Sequence, residues 1–307
     1  MAFRSGFVAV VGRPNVGKST LVNAIVGSKV TITSPRPNTT RVGVRGVLHR
    51  PEAQAIFVDT PGLHRPKTRL GERLNERAVG SVSDADVVLA LVEATSPIGP
   101  GDRTALGHAL RARSPGSGPG GLFVVVNKID RVRPPQVLER LAQAAEAFQE
   151  LQRARVERQG SEIPVNDVEY FAVSARTGKG VNALIEAIID RLPVGPPYYP
   201  PDQLSDLPDA VRVAELVREQ LLARTRDELP HAIACEVTEW DWPYIRCEIL
   251  VERPSQKAIV IGKGGEVLKA VGIAVRRQLP PGAHLELFVR VERRWQQRQE
   301  ALDRLGY

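Results

Sequence analysis

The sequence predicts an α/β protein of two parts: an N-terminal doubly wound domain with a mostly parallel sheet, then a smaller α+β domain. Three observations carry this reading. Apolar strand-like runs alternate with helical patterns over residues 1–192, the signature of a sheet covered by helices on both faces. The first run, residues 7–11, passes through the glycine-bearing stretch Gly12 to Ser19 directly into a helix-competent run, residues 20–26. Finally, Pro193-Val-Gly-Pro-Pro-Tyr-Tyr-Pro-Pro201 can continue neither helix nor ladder, and the order of elements changes beyond it. A length of 307 residues also exceeds the usual size of one domain.

Within the first part, β-rich apolar runs place further strands at residues 42–49, 55–58, 87–92, 122–126 and 168–173. Helical spacing of apolar residues places helices at 70–79, 137–152 and 181–191. The glycine- and proline-dense residues 114–121 read as a flexible loop, and 157–164 as another. After the connector come a helix at 209–226, strands at 232–238 and 244–251, short helices near 258–261 and 265–278, and a strand at 284–291. A charged helix closes the chain. The expected boundaries are therefore 1–192, a linker 193–206, 207–292, and a C-terminal helix 293–307. No internal repeat is visible, which argues against a second copy of the first domain.

Composition narrows the setting. With 42% hydrophobic and 25% charged residues the chain has material for ordinary globular cores. Cys235 and Cys247 are too few for a disulfide framework and lack metal-ligand spacing; they lie on one face of adjacent strands and read as buried free thiols in a reducing cytoplasm. No run is long enough for a signal-peptide core or a membrane span. The net charge of +7 points weakly to a polyanionic partner, and it is unevenly spread. Residues 1–192 hold 26 Lys and Arg against 18 Asp and Glu, whereas 193–307 hold 16 against 17. Any nucleic-acid reading of the second part must rest on a local cluster. One exists: Arg253, Lys257, Lys263, Lys269, Arg276 and Arg277 face only Glu266 between residues 253 and 277. Taken alone, that cluster fits a solvated helix pair equally well.

The stretch Gly12-Arg13-Pro14-Asn15-Val16-Gly17-Lys18-Ser19, followed by Thr20, is a GxxxxGK(S/T) phosphate loop in its proper strand-to-helix context. Its backbone N–H groups and helix start suit phosphates, Lys18 adds a mobile cation, and the Ser19 hydroxyl suits Mg²⁺. A second strand ends in Asp59-Thr60-Pro61-Gly62. Asp59 is placed to hold Mg²⁺ through water, and the Gly62 N–H can turn to a γ-phosphate. A third strand ends in Asn127-Lys128-Ile129-Asp130. The Asp130 carboxylate can accept both N–H donors on the Watson–Crick edge of guanine, a pair adenine lacks, so GTP is favoured over ATP. Lys128 can lay its stem on the base, and Asn127 can bridge back to the phosphate loop. Ser174-Ala175-Arg176 follows the next strand, where the Ala175 N–H can meet the guanine O6. Singly, Asp130 or Ser174 also reads as a helix cap.

These ordered motifs resemble a translation-factor-class P-loop GTPase domain. Its switch threonine resembles Thr40 within Asn38-Thr39-Thr40-Arg41, with Thr39 the alternative; Lys18, Thr40 and Gly62 are then the groups on the γ-phosphate, and Ser19, Thr40 and Asp59 the Mg²⁺ set. Where a Ras-like protein has a water-orienting Gln, this chain has Leu63, which implies slow intrinsic turnover stimulated by a partner; resemblance to GTPases with a hydrophobic residue there makes Asn15 a candidate K⁺ ligand.

In the second part, Ile259-Val-Ile-Gly262-Lys263-Gly264-Gly265 joins two helices by a GxxG turn. With the surrounding helix, strand, strand, helix, GxxG, helix, strand order it resembles a type II KH domain, whose loop meets a sugar–phosphate chain while an apolar groove takes unstacked bases. Gly262, Lys263, Gly264, Gly265, Lys257 and Lys269 are the expected RNA-binding residues. Together the halves resemble the Era family of GTPases, on the phosphate loop, Thr39-Thr-Arg41, Asp59-Thr-Pro-Gly62, the connector Gly195-Pro-Pro-Tyr-Tyr-Pro200 and Val260-Ile-Gly-Lys-Gly-Gly265. The resemblance implies a GTP/GDP-binding, Mg²⁺-dependent monomer that binds the 3′ end of 16S rRNA in small (30S) subunit assembly. It also implies peripheral contact with the cytoplasmic face of the inner membrane, for which the basic tail Arg290 to Arg298 speaks. An RNA-binding or RNA-chaperone protein with a merely structural nucleotide is the alternative.

Overall fold

The structure is a computed structural model; it describes residues 2–36, 39–62, 66, 68–112, 120–159, 168–226 and 228–307. The chain forms two compact units. The first comprises Met1–Thr31, Thr40–Arg65 and Leu74–Asp206; the second comprises Ile32–Thr39, Pro66–Arg73 and Leu207–Tyr307.

The first unit is built on strands β1 (Arg4–Gly12), β2 (Val44–Arg50), β3 (Ala53–Asp59), β4 (Val87–Glu93), β5 (Leu122–Asn127) and β6 (Val168–Ala172). Their order is β2-β3-β1-β4-β5-β6, with β2 antiparallel to β3 and every other pair parallel. Period-two alternation sends neighbouring residues of β1 to opposite faces. Val8 and Val10 pack with Leu21, Val22 and Ile25 of α1 (Lys18–Val26) and with Leu184, Ile185 and Ile188 of α5 (Val181–Arg191). Ala9 and Val11 pack on the other side with Leu106 and Leu110 of α3 (Pro100–Ala112) and Ala144 and Phe148 of α4 (Pro134–Gln159). Helix α2 (Arg69–Ser83) belongs to the first unit from Leu74 onward. The proline-rich stretch lies along β1: Ser5 N–H donates to Pro193 O and Gly195 N–H to Phe3 O, each at 3.0 Å.

Helix α3 has no counterpart in the sequence reading. Pro100 fixes its first φ, and Asp102 accepts from the Gly99 N–H at 3.0 Å. Gly101, Thr104 and Gly107 dilute the helical pattern, and tertiary burial of Ala105, Leu106, Ala109 and Leu110 overrides their low propensity. The loop at 157–164 begins later than expected, since α4 runs to Gln159; residues 113–119 and 160–167 lie outside the described residues.

The second unit holds α6 (Asp209–Arg224), α7 (Leu229–Ala232), β7 (Ala234–Asp241), β8 (Tyr244–Val251), α8 (Pro254–Ile261), α9 (Glu266–Arg276), β9 (His284–Val291) and α10 (Gln299–Arg304). Strand β8 is central, antiparallel to β7 and parallel to β9. One core joins Val217 and Leu221 with Cys247, Ile249, Val260, Val271, Val275 and Val289. Cys235 and Cys247 are both buried and free, and burial, with the neighbouring Cys247, pushes the Cys235 thiol well up. Fully buried Arg218 is paired with Glu215 and donates to the Thr39 carbonyl, while Glu219 accepts from the Thr33 N–H at 3.0 Å. The segment Ile32–Thr39 is thereby tied into this unit.

The chain end differs from the single helix expected over 293–307. Arg294 is left-handed (φ 51°), Trp295–Gln297 forms a 3-10 turn, and only Gln299–Arg304 is α-helical. Trp295 causes the break. Its ring is fully buried, and its Nε1–H donates to Ala232 O at 2.9 Å, so the tail's one tryptophan is spent on the core and offers nothing to a bilayer. No helix among the described residues is long and apolar enough to cross a membrane.

Candidate functional site

Parallel β1, β3 and β5 all end at one edge of the first sheet, and the loops leaving them bring the sequence-predicted residues together. Gly12 to Gly17 link β1 to α1. Gly17 has φ +102°, and a Cβ there would lie 2.4 Å from Asn127 Nδ2, so only glycine lets the loop close on the base loop. That closure is a hydrogen bond: Asn127 Nδ2 donates to Val16 O at 2.9 Å. Arg13 and Pro14 are half-buried and Val16 is buried, whereas Asn15 is exposed and left-handed (φ 65°). Half-buried Thr20 continues the helix.

Lys18 is 6% exposed, and its Nζ donates to Gly12 O (3.1 Å) and Arg13 O (3.4 Å). Burial pushes its ammonium down to about 8, against the pull of Asp59. Asp59 is fully buried; burial raises its carboxyl, opposed by Lys18 and by bonds from Ser19, Thr31 and Thr40. Ser19 Oγ and Thr40 Oγ1 lie 3.0 Å apart, and Thr40 Oγ1 donates to Asp59 Oδ2 at 3.2 Å. Thr39 points elsewhere, its hydroxyl donating to Arg36 O at 2.7 Å. Thr60 donates to Val10 O at 2.7 Å, Pro61 is buried, and a Cβ on Gly62 would lie 2.9 Å from Pro14 Cα, which puts Gly62 against the phosphate loop. Asn38 and Leu63 lie outside the described residues.

At the base side, Asp130 is exposed and its Oδ1 accepts from Ser174 Oγ at 2.7 Å, which orients the carboxylate. The Ala175 N–H, expected from the sequence to meet guanine O6, donates to Asn127 Oδ1 at 3.0 Å, which fixes it at the base side of the site. Asn127 thus locks two loops at once, and Arg176 is exposed beside it. Sequence reasoning also missed Thr31, whose Oγ1 donates to Asp59 Oδ2 at 2.9 Å, and Glu93, which pairs with both Arg13 and Lys128. Burial alone would raise the Glu93 carboxyl; those two cations hold it below its ordinary value. The signal for Glu93 was available: β4 is an apolar run ending in one polar residue, as β3 and β5 are.

The residues fit Mg²⁺. Among the described residues no cluster of three or more His, Cys, Asp or Glu forms a metal cage, but buried Asp59 Oδ1 has no hydrogen-bond partner. One carboxylate and two hydroxyls beside an orphaned oxygen are the donor set of a cation that keeps several waters and takes the rest from phosphate.

In the second unit, Gly262 ends α8 with φ 76° and ψ 171°, and a Cβ there would meet Val267 Cγ2 at 2.6 Å, so the turn into α9 requires glycine. Lys263 and Gly264 are exposed, Gly265 is half-buried with φ +82°, and Lys269 is exposed on α9. Lys257 differs from the others: it is half-buried, with Nζ 5.4 Å from the Phe288 ring centroid. Ile259 and Ile273 are exposed on the two helices, apolar surface of the kind that unstacked bases cover.

Comparison with known proteins decides the family. A family model described as a 50S ribosome-binding GTPase matches residues 7–128, and one described as a KH domain matches residues 228–296. GTPase Era of Mycobacterium tuberculosis (strain ATCC 25618 / H37Rv) is 44% identical over 316 aligned residues, 99% of each chain. The chain belongs to the Era family of GTPases. GTPase Era of Mycobacterium sp. (strain KMS) is 43% identical with the same coverage. Among solved structures, Era in complex with MgGDPNP and nucleotides 1506–1542 of 16S ribosomal RNA matches with a TM-score of 0.83 at 36% identity, over 99% of both chains. A variant of Aquifex aeolicus Era bound to GDP·AlF₄⁻ matches with the same score at 35% identity, again over 99% of both.

Proposed function

We propose that this protein is a GTP-hydrolysing switch that binds the 3′ end of 16S rRNA through its second unit and acts in assembly of the 30S subunit. The observation that carries the reading is the full-length match, TM-score 0.83, to an Era captured with both a magnesium-bound GTP analogue and a 16S segment. The geometry of the nucleotide loops supports it. Lys18, Thr40 and Gly62 meet the γ-phosphate; Gly12 to Thr20 cradle the phosphates, with Thr60 and Pro61 shaping the loop behind them. Asn127, Lys128, Asp130, Ser174, Ala175 and Arg176 build the guanine side. Ser19, Thr40 and Asp59 would hold Mg²⁺. When bound, that cation neutralises charge developing on the phosphates. Gly262, Lys263, Gly264, Gly265 and Lys269 take the RNA backbone, with Lys257 in support through its half-buried stem.

Of the five places where the chain crosses between the units, the one beside the nucleotide site carries the proposed coupling. The chain passes from the second unit to the first between Thr39 and Thr40. The Thr39 carbonyl is held by Arg218, and the Thr40 hydroxyl stands beside Ser19 and Asp59. A change in what the Thr40 hydroxyl contacts would therefore act on a neighbouring residue whose carbonyl Arg218 holds. Asn15 completes the proposal as a K⁺ ligand near the β- and γ-phosphates; equal turnover in saturating K⁺ and Na⁺ removes that part. Free, buried thiols fit the cytoplasm, and the chain works there as a monomer. Peripheral contact with the cytoplasmic face of the inner membrane would rest on the exposed Arg293, Arg294 and Arg298 of the tail alone, because Trp295 is buried.

An Asp59→Asn variant tests the whole. The switch reading expects GTP turnover and 30S maturation to fail together; normal RNA affinity and normal maturation in a variant that cannot turn over GTP would leave only an RNA-binding protein with a structural nucleotide.

A further inference from the structure

Strand β4 ends in Glu93, which stands opposite Asn127 in the parallel register with β5. Its side chain is 12% exposed, and both of its oxygens are used. Oε1 accepts from Arg13 Nη2 and, at 3.2 Å, from Ser96 Oγ; Oε2 accepts from Lys128 Nζ. The two cations carry the arrangement outward. Arg13 Nε donates to Asp102 Oδ1 at 2.9 Å, and that carboxylate is 5% exposed at the start of α3. Lys128 Nζ donates a second bond to Asn15 O at 2.5 Å.

The chain geometry on either side shows what this holds in place. Asn15 (φ 65°) and Lys128 (φ 66°) are two of only three non-glycine residues with positive φ among the described residues. Such a conformation is disfavoured for a residue with a side chain, less so for Asn than for Lys, and persists where the surroundings enforce it. Here one carboxylate, through Lys128, reaches both: directly to Lys128 and onward to the Asn15 carbonyl. Asn127 makes a separate tie from the base loop to Val16. The Glu93 tie is the charged one, and it alone includes Arg13.

We propose that Glu93 is a positioning residue for guanine-nucleotide binding: held between the Arg13 guanidinium and the Lys128 ammonium, its carboxylate fixes the spacing between the phosphate loop and the base-reading loop. It touches neither phosphate nor base. It acts by keeping the Lys128 stem in the plane position where a base can lie on it, and by holding the phosphate loop at the matching distance. The proposal rests on residues 127–130 being the base-reading loop. Neutralising Glu93 turns an amide N–H₂ toward one of the two cations, so one tie is replaced by repulsion and the loops separate. The effect is the same for GDP and GTP, since both span the two loops, and it appears as faster nucleotide release and higher KM rather than lower kcat.

The test is a cycle on the full-length protein with a fluorescent GDP, following release by stopped flow in wild type, Glu93→Gln, Lys128→Met and the double variant, with thermal melts of each to confirm folding. Lys128→Met alone accelerates release if the base-loop reading is right; unchanged release in that variant sinks the reading itself. Glu93→Gln accelerates release about tenfold, the scale expected when a charged pair is broken. In the Lys128→Met background the same change adds less than about twofold, because residues acting through one contact are not additive. Unchanged release in Glu93→Gln, or the full tenfold in both backgrounds, overturns the proposal. Should Glu93→Gln not accumulate folded, Glu93→Asp carries the same comparison. Its charge remains, but it is one methylene short of spanning both cations, so faster release confined to the Lys128 background supports the tie and equal release in both rejects it.

Discussion

Lys18 and Lys263 both follow a glycine turn at a helix start, yet they live in opposite electrostatic worlds. Lys18 is 6% exposed, donates to two carbonyls of its own loop and feels a buried carboxylate. Lys263 stands exposed between Gly262 and Gly264. A buried charge discriminates through desolvation and fixed geometry, so its effects are large, selective and pH-sensitive. An exposed charge works by counterion release, so its effects are small, additive and salt-sensitive. The nucleotide site belongs to the first kind and the GxxG face to the second.

Four perturbations sharpen that contrast. Removing the base acceptor altogether by Asp130→Ala should cost the most: preference for GTP over ATP falls by about 10⁴-fold, measured by competition binding, because guanine's donors lose their partner. Lys18→Ala should lower kcat for GTP by about 10²–10³-fold in single-turnover assays, the usual loss when one preorganised charge on a transferring phosphoryl group is removed.

A pH series should come next in size. The free protein's Lys18 titrates at about 8, below the ordinary lysine range, and bound phosphates favour its charged form. Below that value Lys18 is protonated with or without nucleotide and affinity is level. Above it, binding must take up a proton, so GTP affinity falls by about tenfold per pH unit. A flat profile from pH 7 to 9.5 in isothermal titration contradicts the assignment. The smallest effect belongs to Lys263→Gln: a few-fold loss of RNA affinity, and a slope of log affinity against log salt shallower by about one. A loss confined to one RNA sequence, with the slope unchanged, would move Lys263 from backbone contact to base reading.

What the sequence made legible follows the same division. Asp59 and Asn127 announce themselves because each is one polar residue closing a buried apolar strand, and Gly12 to Ser19 because strand, glycine turn and helix come in one stretch. Glu93 closes β4 in the same manner, but no pairing rule on the sequence says that its partners are Arg13 and Lys128, distant in the chain. The bond from the Ala175 N–H to Asn127 Oδ1 was not legible, since a side chain distant in the sequence reaches that donor only in three dimensions. Helix α3 was hidden by its glycines. The tail read as one helix because charge periodicity does not reveal that Trp295 turns inward to reach Ala232.

The central claim is that nucleotide state governs RNA binding, and the most direct measurement is the affinity of the full-length protein for an oligonucleotide of the 16S 3′ end with a non-hydrolysable GTP analogue and with GDP. Arg218 on Thr39 and Asp59 with Ser19 around Thr40 predict that the two affinities differ. The expected difference is about 5–150-fold, the range of coupling energies between two linked sites. Equal affinities in the two nucleotides would contradict the account.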